Sequence, residues 1–133
     1  MRHALWPEES VAEHARDIFR FFAGELHEPV AVLLAFDTDG NPEGFAELSI
    51  RNIVDSCRTG NVAYLEGWFV EPALRRRGVG RALIQAAEAW ARARGCREFG
   101  SDALMENEVS AAAHLALGFE ETSRVRTFRK DLP

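Results

Sequence analysis

Val11, Ala15, Ile18, Phe19 and Phe22 fall at helical spacing, and Gly24 ends the run. Ser10-Val11-Ala12-Glu13 in front of them has the spacing of a capping box, so a helix is predicted over 10–23. Val30 to Phe36 is a continuous apolar run of strand length, Asp37-Thr38-Asp39-Gly40-Asn41 is turn chemistry, and Gly44 to Ile50 reads as the returning strand of a hairpin. The polar stretch 51–61 is a loop. Val62 to Val70 is the third strand, ended by Pro72. Leu83, Ala87, Trp90 and Ala91 form one helical stripe within Gly80–Arg94, with Gly95 behind it. Arg97–Ser101 is a short strand, Glu108–Leu117 a helix closed by Gly118, and Phe119–Phe128 an extended segment with β-prone Thr122, Val125 and Phe128. The order predicts an α/β (α+β) fold, a mixed sheet with helices on its faces.

At 133 residues, 47% hydrophobic and 28% charged, the chain 1–133 is expected to form a single domain. It has no apolar run long enough for a membrane span and no secretory pattern at its start. Two cysteines, Cys57 and Cys96, are too few for a disulfide scaffold and suggest no metal site, so reduced thiols and a cytoplasmic location are expected. With 16 basic against 21 acidic residues the net charge is −5, which argues against nucleic acid and favours cationic partners. The basic residues are nevertheless concentrated: Arg75, Arg76, Arg77 and Arg81 crowd together, and Arg124, Arg126, Arg129 and Lys130 form a second group.

The arginine knot lies where chemistry is expected. In Val70-Glu71-Pro72-Ala73-Leu74-Arg75-Arg76-Arg77-Gly78-Val79-Gly80-Arg81 a strand ends, an Arg/Gly loop follows and a helix begins. First-turn N–H groups have no partner inside a helix, the helix end carries partial positive charge, and glycine allows close approach of a phosphate. Arginines add formal charge around it. The loop is neither the nucleotide-binding GxxxxGK(S/T) pattern nor GxGxxG. A glycine turn with solvated surface arginines is the plain alternative.

Arg75-x-x-Gly78-x-Gly80 after a strand resembles the (Q/R)xxGx(G/A) signature of the GCN5-related N-acetyltransferases, which cradles the pyrophosphate of acetyl-coenzyme A. Asn107, Ser110, His114 and Gly118-Phe119 resemble that family's NxxAxxxYxxxGF segment, with Ser for Ala and His for the usual Tyr. Within the superfamily, Leu5-Trp6-Pro7, Ala46–Arg51, Ala63–Val70, Glu98–Ala103 and Leu117–Thr122 look like aminoglycoside 6′-N-acetyltransferases. Relatives carry a further strand and a helix start before the Leu-Trp-Pro, so the resemblance implies that the usual first strand is missing. It also implies a homodimer.

The resemblance implies roles for named residues. Trp68, Phe69, Val70, Arg75, Arg76, Arg77, Gly78, Val79, Gly80, Arg81, Asn107 and His114 would hold the coenzyme. The N–H of Trp68, with Val70 nearer the pantetheine arm, would polarise the thioester carbonyl. Glu66, directly or through water, would accept the amine's proton, and Asp102 would anchor the ammonium. His114 would protonate the departing thiolate. Trp6 would wall a sugar ring, with Glu8, Glu9 and Tyr64 around the acceptor. No metal is implied. The expected activity is acetyl transfer to the 6′-amine of aminoglycosides by direct attack in a ternary complex. Another amine, such as a polyamine or a protein lysine, is the second reading, and a non-catalytic module binding acetyl-coenzyme A or the drug is the third.

Overall fold

A computed structural model describes residues 1–133 and has four strands in the order β1-β2-β3-β4. β1 (Ala31–Phe36) and β2 (Pro42–Arg51) form the antiparallel hairpin, and Asp37 closes its turn by accepting from the Asp39 and Asn41 N–H groups at 2.9 and 2.8 Å. β3 (Val62–Val70) pairs antiparallel with β2, and β4 (Phe99–Ser101) pairs parallel with β3. The helices of this part are α1 (Arg2–Leu5), α2 (Val11–Phe22) and α3 (Val79–Ala93), with a short 3-10 turn at Pro72–Leu74. The capping box forms as expected: Ser10 accepts from the Glu13 N–H, and the Glu13 carboxylate accepts from the Ser10 N–H.

Two features of β3 position the site. First, its ladder with β4 runs only from Ala63↔Phe99 to Leu65↔Ser101, while β3 continues to Val70. The two parallel strands therefore part company half-way along. Second, Leu48 pairs with Leu65 but Glu47 pairs with Gly67, so Glu66 is an extra residue in the strand. A bulge of this kind re-aims side chains.

The faces of the sheet follow from these registers. α3 covers one face, where Leu83, Ile84, Ala87 and Ala91 are buried and Ala63, Ala91 and Cys96 pack with Ile50, Trp90 and Phe99. On the opposite face, alternation along β2 presents Phe45, Glu47, Ser49 and Arg51. Phe45 packs against Phe69 and Trp6 with ring centroids 6.1 Å apart in both cases.

The chain divides into two compact units, Met1–Asp102 and Ala103–Pro133. The second carries α4 (Glu108–Ala116), whose N-terminus is capped by Asn107 accepting from the Ser110 N–H at 3.0 Å.

One expectation needs correction. The segment 119–128 forms no strand, because β-prone residues need a partner ladder and this segment has none. The apolar stripe of α2 is not buried: Val11, Ile18, Phe19 and Phe22 are exposed, and only His14 lies inside. β1 stands at the sheet edge, and beside it Val11, Ile18, Phe22, Val32 and Leu34 line an open apolar groove of 490 Å³. α1 and the 3-10 turn were not predicted, since neither is long enough to show a period. No helix is long and apolar enough to cross a membrane.

Candidate active site

β3 ends at Val70, the 3-10 turn carries the chain away, and α3 starts at Val79 with Gly78 as its N-cap. Gly78 has φ +93°, a left-handed conformation that side chains other than glycine adopt only with strain. No side chain caps this first turn, and a Cβ at Gly78 would meet nothing within 4 Å, so the approach to its backbone is open. Arg76, Arg77 and Arg81 are exposed around it. Arg75 is held differently: its Nε donates to the Val70 carbonyl at 2.9 Å, and its guanidinium lies 5.7 Å from the Phe69 ring. The arrangement suits an anionic, phosphate-bearing group, with Gly78 giving access and three arginines giving charge.

The Trp68 ring joins this cradle to the strand. A Cβ on Gly80 would stand 2.8 Å from Trp68 Cζ2, so the indole rests directly on the first turn of α3. The backbone of Trp68 has a defined direction as well. The Glu71 N–H donates to the Glu43 carbonyl at 2.9 Å, towards β2. Alternation then turns the Trp68 and Val70 N–H groups away from β2, to the side where β4 no longer pairs.

Further back on β3 the open face of the sheet carries a connected row of side chains. Arg51 donates from Nε to Glu66 Oε1 at 3.0 Å and from Nη2 to Glu66 Oε2 at 2.7 Å. Ser49 donates its hydroxyl to the same Oε1. The Arg51 guanidinium stacks on Tyr64, 3.6 Å from the ring centroid. Tyr64 in turn donates its phenol to Asp102 Oδ2 at 2.7 Å. Burial, then this hydrogen bond, push the Tyr64 phenol above its ordinary pKa, so it stays protonated as a donor. Glu66, inside β3, and Asp102, the residue after β4, therefore share one face and one network.

Trp6 caps α1 and lies against Gly67 and Phe45, with Arg2 5.1 Å above its ring. Its carbonyl accepts from His14 Nε2 at 3.0 Å. The Glu9 carboxylate lies 3.3 Å from His14 Nδ1, and Glu8 is exposed. Below this group Arg2 Nε stands 2.7 Å from the Glu47 carboxylate. Burial pushes Glu47 up in pKa, and the Arg2 charge opposes that.

In the second unit, His114 Nδ1 is 2.7 Å from the Ser110 carbonyl. A carbonyl only accepts, so Nδ1 is the ring nitrogen that carries the hydrogen in this contact. The ring stands edge-on to Phe119, 5.0 Å between centroids. Asn107 spends its carbonyl oxygen on the α4 cap, so contact with another group's acceptor falls to its amide N–H₂.

Sequence reasoning named Glu66, Tyr64 and Asp102 but missed Arg51 and Ser49. A signal existed in the alternation: Ser49-x-Arg51 and Tyr64-x-Glu66 each put two polar groups on one side of neighbouring hairpin strands.

Residues 1–119 match the family model described as the acetyltransferase (GNAT) family. The chain belongs to the GNAT acetyltransferases. Among GNAT relatives, an aminoglycoside N(6′)-acetyltransferase type 1 of Klebsiella aerogenes is 54% identical over 99% of this chain and 87% of its own. One of Stenotrophomonas maltophilia is 48% identical over 99% and 84%. The solved GNAT structure of AAC(6′)-Iy with the bisubstrate analogue CoA-S-monomethyl-acetylneamine superposes with TM-score 0.88 at 41% identity, covering 99% of this chain and 88% of that one. The apo AAC(6′)-IG of Acinetobacter haemolyticus gives the same TM-score, 0.88, at 39% identity with the same 99% and 88% coverage. Acetyl-coenzyme A is the donor of this GNAT fold, and the cradle at Gly78 has the chemistry to receive its pyrophosphate.

Proposed function

We propose that this chain acetylates the 6′-amine of aminoglycoside antibiotics, with acetyl-coenzyme A as donor, and so confers resistance. Residues 1–133 act together as one acetyltransferase domain, a reading supported by a family match that runs through both units. The observation that carries the proposal is the course of β3: one strand runs from the acidic row at Tyr64 and Glu66 to the phosphate cradle after Val70. A cationic acceptor bound at one end and an anionic donor at the other meet along the part of β3 that runs on past the β4 ladder.

Acetyl-coenzyme A supplies the acetyl group as a thioester. Arg76, Arg77, Arg81 and the N–H groups that follow Gly78 bind its phosphates, and Arg75 braces the cradle through the Val70 carbonyl. Trp68, Phe69, Val70, Val79 and Gly80 line the donor's path, with Asn107 and His114 as further contacts. The N–H of Trp68 polarises the acetyl carbonyl, and that of Val70 serves the pantetheine arm. Asp102 anchors an ammonium group of the acceptor and Glu66 faces its 6′-nitrogen, with Trp6, Tyr64, Glu8 and Glu9 around the sugar. A carboxylate offers about four acceptor positions, and Ser49 and Arg51 take three of those on Glu66. Glu66 is thus better suited to orienting the amine than to carrying off its proton, and water takes that proton. The amine attacks in a ternary complex, and His114 as imidazolium protonates the leaving thiolate through Nε2. The chain works in the cytoplasm, with its donor's metabolic pool. It pairs as a homodimer, which the free edge of β1 and its apolar groove favour.

Thiol release measured with an amine panel tests this. Turnover with neamine far above that with spermidine or a lysine peptide is expected. Preference for either of those would point to the second reading, and no release with any amine to the binding module.

A further inference from the structure

We propose that Arg51 is a positioning residue that sets the protonation of the bound acceptor: by neutralising Glu66 it lets that carboxylate orient the 6′-nitrogen without fixing it as ammonium. The inference rests on the acceptor site described above. A free alkyl amine has a pKa near about 10.4, and a bare carboxylate within a few ångströms raises it by about 1–3 units. Binding to carboxylates alone therefore suppresses the neutral amine that must attack. The geometry here is different. Both Glu66 oxygens face the Arg51 guanidinium, at 3.0 and 2.7 Å, and the pair acts on a third group as a dipole rather than as a charge. Arg51 is further held by its stack on Tyr64, which opposes its swinging away when a cation arrives. The bonds to Glu66 also strengthen its hold on its proton.

The other ionisable groups leave this effect to Arg51. On β3, Tyr64 stays a neutral donor. After β4, Asp102 is exposed and accepts from Tyr64. On β2, Glu47 is matched by Arg2 of α1, with His14 of α2 next to it. Arg51 is the cation that touches Glu66.

The test is the pH dependence of kcat, which reports groups in the bound complex, measured with saturating neamine and acetyl-coenzyme A. In Arg51→Gln the acid limb is expected to move up by about one pH unit, with kcat about tenfold below wild type at neutral pH and the gap to wild type closing at high pH. The KM for neamine should stay level or fall. Arg51→Lys, which keeps the charge, should leave the limb near its original place. Glu66→Gln should move the limb down, and the double variant should bring it back. A merely structural role for Arg51 raises KM and leaves the limb in place, and an unmoved limb in Arg51→Gln overturns the proposal. So does an unmoved limb in Glu66→Gln, which keeps the proposal testable should Arg51→Gln fail to fold. Calorimetry separates this from the site itself: unchanged neamine affinity in both Glu66→Gln and Asp102→Asn rejects the acceptor site. Weakened affinity there with an immobile limb rejects only the role of Arg51.

Discussion

Tyr64 donates its phenol to Asp102 over 2.7 Å, although 38 positions separate them in the chain. The bond ties Tyr64, which pairs with Gly100 inside the β3–β4 ladder, to Asp102, the residue that follows β4. It thus holds the Tyr64 side chain to the point where the chain leaves β4.

Asp102→Asn should weaken aminoglycoside binding by about one to two orders of magnitude, since hydrogen bonds to charged groups contribute about 1.5–3 kcal/mol each. The KM for acetyl-coenzyme A should hardly change. Calorimetry with each substrate separately checks both halves of the statement.

Gly78→Val should raise the KM for acetyl-coenzyme A far more than that for the amine. The position is open to a side chain, so the penalty is conformational: φ +93° costs a β-branched residue about 1–3 kcal/mol. Gly78→Asn, which tolerates the left-handed region better, should be milder. Equal KM values for the coenzyme in wild type and Gly78→Val would remove the cradle from the account.

His114→Phe should leave measurable turnover, lowered by at most about 10²- to 10⁴-fold if the imidazole is the acid. A thiolate is a fair leaving group unaided, so complete inactivity in a folded variant would contradict the role given to His114. Steady-state kinetics together with circular dichroism decide it.

Glu98 provides a prediction about pH and stability. Its carboxylate accepts from the Thr59 hydroxyl and N–H, both at 2.6 Å, and from the Arg58 N–H at 2.9 Å, pinning the loop before β3. The Thr59 hydroxyl bond, first among these, holds it below the usual carboxylate range. A depressed folded-state pKa gives stability that is present above the unfolded value, 4.5, and is lost as pH falls through the folded one. Thermal melts should therefore show Glu98→Gln less stable than wild type at pH 7, with the gap closing below about pH 4. A constant gap across pH contradicts this.

Much of the fold is legible in the chain because its elements carry local punctuation. The Ser10–Glu13 box starts α2, Pro72 follows β3, and Gly78 marks the start of α3. The same rules fail where partners decide. Residues 119–128 have strand propensity without a ladder, and the α2 stripe has helical period without a surface to bury it. In the site, Glu66 and Asp102 stand out as carboxylates in or just after apolar strands, although Glu66 lies inside β3 and not at its end. The bulge that re-aims Glu66, and the Arg51 that grips it, depend on cross-strand register, which no short pattern in one strand encodes.

The most direct test of acetyl transfer to a 6′-amine compares neamine with its 6′-hydroxyl counterpart in the same thiol-release assay. Coenzyme A release with neamine, a product acetylated at the 6′-nitrogen by mass spectrometry, and no release with the hydroxyl compound are the predicted results. Equal release with both compounds, or acetylation at a different amine, would contradict the account.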